Sequence, residues 1–269
     1  MKTSSSFPFL ALLFLAVAAD QGVNEPWTMQ YVLQTNASMC TACPSNEQPR
    51  SLDEIKCRLH DLVTQQRVRT FREILPFQLL QPARDFQDPM NARARELTFR
   101  VISLYEASNV SLILAFDRPL AAWMVGSESY TWCPIPPLDD AEGWTKLKDA
   151  LSDAIAGFLG WLAAPAASGG AGLDPVWLHA KLLLEPWNEF DAVADTDCNF
   201  PSEAPSATRA ASLQEGVTTA LMATGAFTAA TLPIQITPSV SAAQGSWSGY
   251  MSAYYAAGGT GLPSIHWCE

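Results

Sequence analysis

Residues 182–191 read LLLEPWNEFD. Three leucines mark a buried strand. Two carboxyl groups, Glu185 and Glu189, follow at once, with an indole at Trp187 and an amide at Asn188. Side chains of an extended chain alternate between faces, so Glu185, Trp187 and Glu189 share one face if the pleat persists. A carboxyl group where a buried strand meets its loop is partly desolvated. Its ionised form is disfavoured there, so it can hold a proton near neutral pH and act as a general acid. Asn-Glu alone is an ordinary surface dipeptide; its place at the end of an apolar run gives it meaning.

The elements that must position this stretch alternate in type. Residues 27–33 (WTMQYVL) predict a first strand. Ser51-Leu-Asp-Glu54 predicts a capping box, opening a helix whose face carries Leu52, Ile55, Leu59 and Leu62. Residues 67–74 predict a second strand, 90–109 an amphipathic helix and 110–117 a buried third strand. Trp144, Leu147, Leu151, Ile155, Phe158 and Leu162 recur at helical spacing ahead of a fourth strand at 180–189. Leu213, Val217, Ala220 and Leu221 mark a helix ended by Gly225. Strands at 232–240 and 262–268 flank a short helix at 247–257.

Such alternation predicts a parallel sheet covered by helices, either an eight-stranded (β/α)8 TIM barrel or an open doubly wound sheet. No glycine-rich phosphate loop follows the first strand, which weakens the nucleotide-binding form of the open sheet. Long insertions at 118–143 and 192–206 follow strand ends, where a barrel builds its active site. The expectation is therefore an incomplete TIM barrel with about six βα units.

Apolar residues make up 48% of the chain and charged residues 16%, enough for one large core and too little charge for disorder. The net charge of −11, with no basic cluster, argues against a nucleic-acid partner. Lys2, a serine run and the apolar residues 7–19 predict a secretory signal over residues 1–19, leaving 20–269 as the folded unit and no later membrane span. Six cysteines (Cys40, Cys43, Cys57, Cys133, Cys198 and Cys268) fit disulfides in an oxidising compartment. Cys40-Thr-Ala-Cys43 could be half a zinc site, but no second pair accompanies it, and no metal or cofactor is expected. Asn36-Ala-Ser38 and Asn109-Val-Ser111 are glycosylation acceptor sequences. Asn36 lies among polar residues, whereas Asn109 abuts a strand and is expected to be less accessible.

Glu185-Pro-Trp-Asn188-Glu189 resembles the fourth-strand Glu-x-x-Asn-Glu motif of clan A glycoside hydrolases, family 5-like enzymes of the cellulase and mannanase type. Phe190 stands where that motif usually continues with proline. The resemblance implies Glu189 as the acid/base and Asn188 as the partner of a sugar 2-hydroxyl. Val68-Arg69-Thr70 resembles the second-strand Val-Arg segment, implying that Arg69 steadies the catalytic carboxylates. Ile265-His266-Trp267 resembles a sixth-strand His-x-Tyr pattern, implying a sugar contact at His266, with Trp267 departing from the aromatic's type. Trp187 is a candidate stacking platform, as are Trp123, Tyr130 and Trp132, because flat aromatic faces suit pyranose rings.

Retaining hydrolysis needs a second carboxyl group about 5 Å from the first. The family's nucleophile ends a seventh strand, and by the spacing of the predicted strands Glu269 falls at the end of the sixth. The sequence thus reads as a secreted hydrolase of β-linked glucan or mannan, truncated at its C-terminus and weakly active or inactive as it stands. The alternative is a non-catalytic carbohydrate-binding relative. An esterase would need Gly-x-Ser-x-Gly, and Gly245-Ser-Trp-Ser-Gly249 carries Trp247 at its centre.

Overall fold

The computed structural model describes residues 22–24, 31, 51–75, 89–116, 136, 139–188, 203–232, 235–236, 240–241, 247–260 and 265–266. The chain is mixed α/β. Its elements run β1 (Gly22–Asn24), α1 (Leu52–Thr64), β2 (Thr70–Leu75), α2 (Pro89–Ala107), β3 (Ser111–Phe116), α3 (Ala141–Ala163), α4 (Pro175–Lys181), β4 (Leu182–Glu185), α5 (Glu203–Ala223), β5 (Gln235–Ile236), β6 (Val240–Ser241), α6 (Trp247–Ala256) and β7 (Ile265–His266).

β2, β3 and β4 form the body of a parallel sheet, with β1 and β5 paired at its edges. The strands lie in chain order, β1-β2-β3-β4-β5. Right-handed crossovers in one direction put every connecting helix on the same side of the sheet. The side chains agree. Phe71, Leu75, Leu112, Leu114, Phe116, Leu182 and Leu184 alternate onto the helix-covered face and are buried. Phe71 meets Tyr105 of α2 with ring centroids 5.3 Å apart, and Phe116 meets Phe158 of α3 at 6.3 Å. Glu73 shares that face and is buried there, accepting a hydrogen bond from the Tyr105 hydroxyl. The opposite face carries Thr70, Arg72, Ser111, Ala115 and Glu185. A closed eight-stranded barrel is not shown; β6 and β7 pair with each other in a second, two-stranded sheet.

Several boundaries follow from identifiable local chemistry. The Ser51 hydroxyl accepts from the Glu54 amide while the Glu54 carboxylate accepts from the Ser51 amide, so the predicted capping box forms and starts α1. α2 stops at Ala107, two residues before its expected end. Asn109 takes a left-handed φ of 52°, its amide donates to the Glu106 carbonyl, and the Val110 amide donates to Tyr105, closing a Schellman cap. Arg67 also takes a left-handed φ, 59°, which delays β2 to Thr70 rather than the expected residue 67.

Other expectations are corrected. Tyr31, the described residue of the expected first strand, is helical and buried, and the strand that pairs with β2 is Gly22–Asn24. The fourth strand begins at Leu182, because Asp174 caps and Pro175 opens a short helix running to Lys181. The expected strand 232–240 is two short strands in different sheets, β5 and β6; Pro238, which lacks an N–H to donate, lies between them. Among the described residues no helix is long and apolar enough to cross a membrane. Cys57 is the described cysteine, and its exposed thiol is not in a disulfide; the other five cysteines, Asn36, Trp123, Tyr130, Trp132 and residues 1–19 lie outside the described residues.

Candidate functional site

β4 is only four residues long, and it delivers its last side chain, Glu185, to the face of the sheet away from the helices. The carboxylate is 1% exposed and meets the guanidinium of Arg72, two strands away on β2, which is itself almost fully buried. Arg72 Nε donates to Glu185 Oε2 at 3.0 Å and Nη2 donates to the same oxygen at 2.7 Å. Nη2 also donates to Asn188 Oδ1 at 2.6 Å. Neighbouring strands lie about 4.8 Å apart, so Arg72 must cross the whole width of β3. The β3 residue level with Glu185 is Ala115, whose single methyl leaves that crossing open.

The chain then turns, and Asn188 is held from two directions. Its amide N–H donates to the Phe116 carbonyl at 2.7 Å, tying the turn after β4 to the last residue of β3. Its side-chain oxygen is taken by Arg72, which has donors only, so the amide must point Oδ1 at the guanidinium. Asn188 Nδ2 is left as the group available to a ligand, and it offers donors. The cluster thus joins an ion pair, whose charges cancel, to an oriented amide at the carboxyl ends of parallel strands. In parallel α/β sheets that is the edge where ligands bind.

The residues expected at this site divide. Asn188 is there, half-buried. Glu189, next in the chain, lies outside the described residues. Arg69 is elsewhere: it precedes β2, is exposed, and donates to the carbonyls of Val63 and Val68 at the amino end of the sheet. The arginine that reaches the β4 motif is Arg72, three residues nearer the strand's carboxyl end. Three residues of extended chain span about 10 Å, so Arg69 stays at the amino rim while the long side chain of Arg72, from mid-strand, reaches the turn after β4. Trp187 is 0% exposed and part of the hydrophobic core, so it packs and offers no open face to a sugar. His266 lies on β7 opposite Ser241, in the smaller sheet, and the structure describes its backbone alone. The sequence signal for Arg72 is weak: it lies inside the expected second strand, where a buried cation needs a partner, but so does Arg69.

One further contact anchors the chain ahead of α3. Arg209 of α5 donates to the Pro136 carbonyl at 2.6 Å, and its guanidinium lies 4.9 Å from the centre of the Trp144 ring. Burial pushes its pKa below the ordinary arginine value. No group of three or more His, Cys, Asp or Glu side chains that could hold a metal occurs among the described residues.

Fold and site together define a parallel α/β protein with an arginine–carboxylate–amide cluster at the carboxyl edge of its sheet. Compared with known proteins, the chain matches no family model, no curated protein and no solved structure.

Proposed function

We propose that the chain is a secreted carbohydrate-active protein of the clan A glycoside hydrolase type, built on a (β/α)8 barrel plan and acting on β-linked glucan or mannan. The observation that carries the reading is the convergence of Arg72, Glu185 and Asn188 at the carboxyl edge of strands laid down in chain order. Chain-order winding is what a barrel requires and a doubly wound sheet breaks. In this reading Asn188 Nδ2 donates to a sugar hydroxyl oxygen, while Arg72 and Glu185 hold the amide in place. Glu189, the next residue, protonates the glycosidic oxygen as the bond from the anomeric carbon breaks.

The pairing of Glu185 with Arg72 also favours a second reading. Glu185 is the other carboxyl group of the motif, and it is buried against Arg72 and holds the guanidinium that orients Asn188, which gives it a positioning role in this reading. With no nucleophile assigned, a carbohydrate-binding protein that does not hydrolyse is the alternative. Calorimetry and a reducing-end assay on soluble β-glucan and β-mannan separate the two. Binding that weakens about tenfold in Asn188→Ala, the loss of roughly 1.4 kcal/mol expected for one well-made hydrogen bond, supports the site. Turnover lost in Glu189→Gln supports the hydrolase, and binding with no turnover supports the binder. Absence of binding to any β-linked glycan, or binding indifferent to Asn188→Ala, refutes both.

A further inference from the structure

We propose that Asn109 carries an N-linked glycan, placed on the rim of the sheet opposite the Arg72–Glu185–Asn188 cluster. The inference rests on the reading of residues 1–19 as a secretory signal. Three observations support it. Asn109-Val110-Ser111 has the acceptor spacing, with a hydroxyl two residues after the amide. The structure reverses the expectation that this asparagine is shielded by β3: Asn109 is exposed, in the turn between α2 and β3. Its backbone is fixed while its side chain is directed by that turn, because φ is 52° and the Schellman bonds to Glu106 and Tyr105 hold the amides on either side.

A left-handed helix cap alone explains part of this, since asparagine tolerates the conformation; glycine is the usual cap, as at Gly225 and Gly258. The cap does not account for the hydroxyl of Ser111, the first residue of β3, whose backbone amide is already bound to the Arg69 carbonyl. Position matters as much as exposure. Ser111 opens β3 and Phe116 closes it beside Asn188, so a glycan at Asn109 begins about 17 Å along the strand from the candidate site. It would cover the amino rim, where Arg67 and Arg69 are exposed, and leave the carboxyl edge open.

The chemistry is a substitution at an anomeric carbon. Asn109 Nδ2 displaces the diphosphate of a lipid-linked oligosaccharide diphosphate. A nitrogen–carbon bond forms, the carbon–oxygen bond to the diphosphate breaks with its electron pair, and the amide gives up one proton. Nothing is oxidised or reduced.

The test is expression of the full chain in a eukaryotic secretory host, with N-terminal sequencing and peptide mass analysis before and after amidase removal of N-glycans. The expected result is secreted protein whose 109-containing peptide carries a glycan, with amidase treatment leaving an aspartate where Asn109 stood. Asn109→Gly keeps the left-handed cap and Ser111→Ala keeps the asparagine; both should abolish the modification, while Ser111→Thr should retain it. Secreted protein with Asn109 unmodified, whether or not Asn36 is occupied, overturns the proposal and leaves the secretory reading standing. A chain kept inside the cell with its N-terminus intact and no glycan overturns both.

Discussion

Removing the carboxylate of Glu185 while leaving Arg72 in place takes from a buried guanidinium the oxygen that accepts two of its donations. The side chains are 8% and 1% exposed, and the two donations to Oε2, at 3.0 and 2.7 Å, are the bonds the structure gives this pair. Breaking a buried pair by deleting one partner costs about 3–5 kcal/mol, most of it the desolvation of the charge left behind. For a domain of this size each kcal/mol shifts the melting temperature by roughly 2–4 °C, so Glu185→Leu should lower Tm by about 6–20 °C. Replacing both partners is different. Arg72→Met with Glu185→Leu removes both charges, and such replacements range from about neutral to 1–4 kcal/mol stabilising. Urea unfolding followed by tryptophan fluorescence, run on wild type, both single variants and the double, gives the coupling directly. The double variant should be more stable than either single one. In the proposed carbohydrate reading it should still bind β-linked glycan more weakly than wild type, because Asn188 Oδ1 has lost the donor that orients its amide. Costs that simply add, or a Glu185→Leu variant within about 0.5 kcal/mol of wild type, would refute the description of the pair as buried and mutually dependent.

Two further outcomes follow from other parts of the molecule. The Tyr254 hydroxyl donates to Gln214 Oε1 at 2.6 Å and lies 2.9 Å from the Thr260 carbonyl, and burial raises its pKa above the ordinary tyrosine value. The unfolded chain therefore ionises this phenol first: its contribution is whole below pH about 10 and falls above it by up to 1.4 kcal/mol per pH unit. Tyr254→Phe should be less stable at neutral pH and show a shallower alkaline decline, measurable by urea titrations between pH 8 and 11. A Cβ added at Gly216 on α5 would sit 2.7 Å from Ser152 Oγ on α3, a hydroxyl buried without a hydrogen-bond partner. Gly216→Ala should cost about 1–3 kcal/mol, and Ser152→Ala should be neutral or stabilising alone and recover much of that loss in combination, as read by thermal unfolding.

What could be read from the sequence depended on whether the signal was local. The capping box at Ser51 and the apolar spacing from Trp144 to Leu162 specify helices through neighbours three and four residues away, and α1 and α3 lie where that spacing places them. The apolar runs of β3 and β4 were equally visible, but element limits were set by backbone conformations that composition does not reveal, such as the left-handed Arg67 ahead of β2 and Asn109 ahead of β3. Placing the site needed a contact between strands more than a hundred residues apart. Arg69 and Arg72 look alike in the string RVRTFREI, and only the register of β2 against β3 shows which one stands near the carboxyl rim. Trp187 misled for a related reason: an indole beside an Asn-Glu pair suggests a platform, whereas the tight turn after Glu185 carries it into the core.

The chain-order sheet also bears on how the molecule is made. Among the described strands of that sheet, each new one joins the strand synthesised before it. As the polypeptide leaves the ribosome, β3 has β2 waiting for it, and β4 has β3. Growth can therefore proceed from the amino end by docking at a single moving edge, with each covering helix arriving before the next strand. The ion pair of Arg72 with Glu185 is completed only when β4 arrives, more than a hundred residues of synthesis after Arg72. Its burial would be a late event, and a marker in pulse-labelling of when the fourth strand has locked into place.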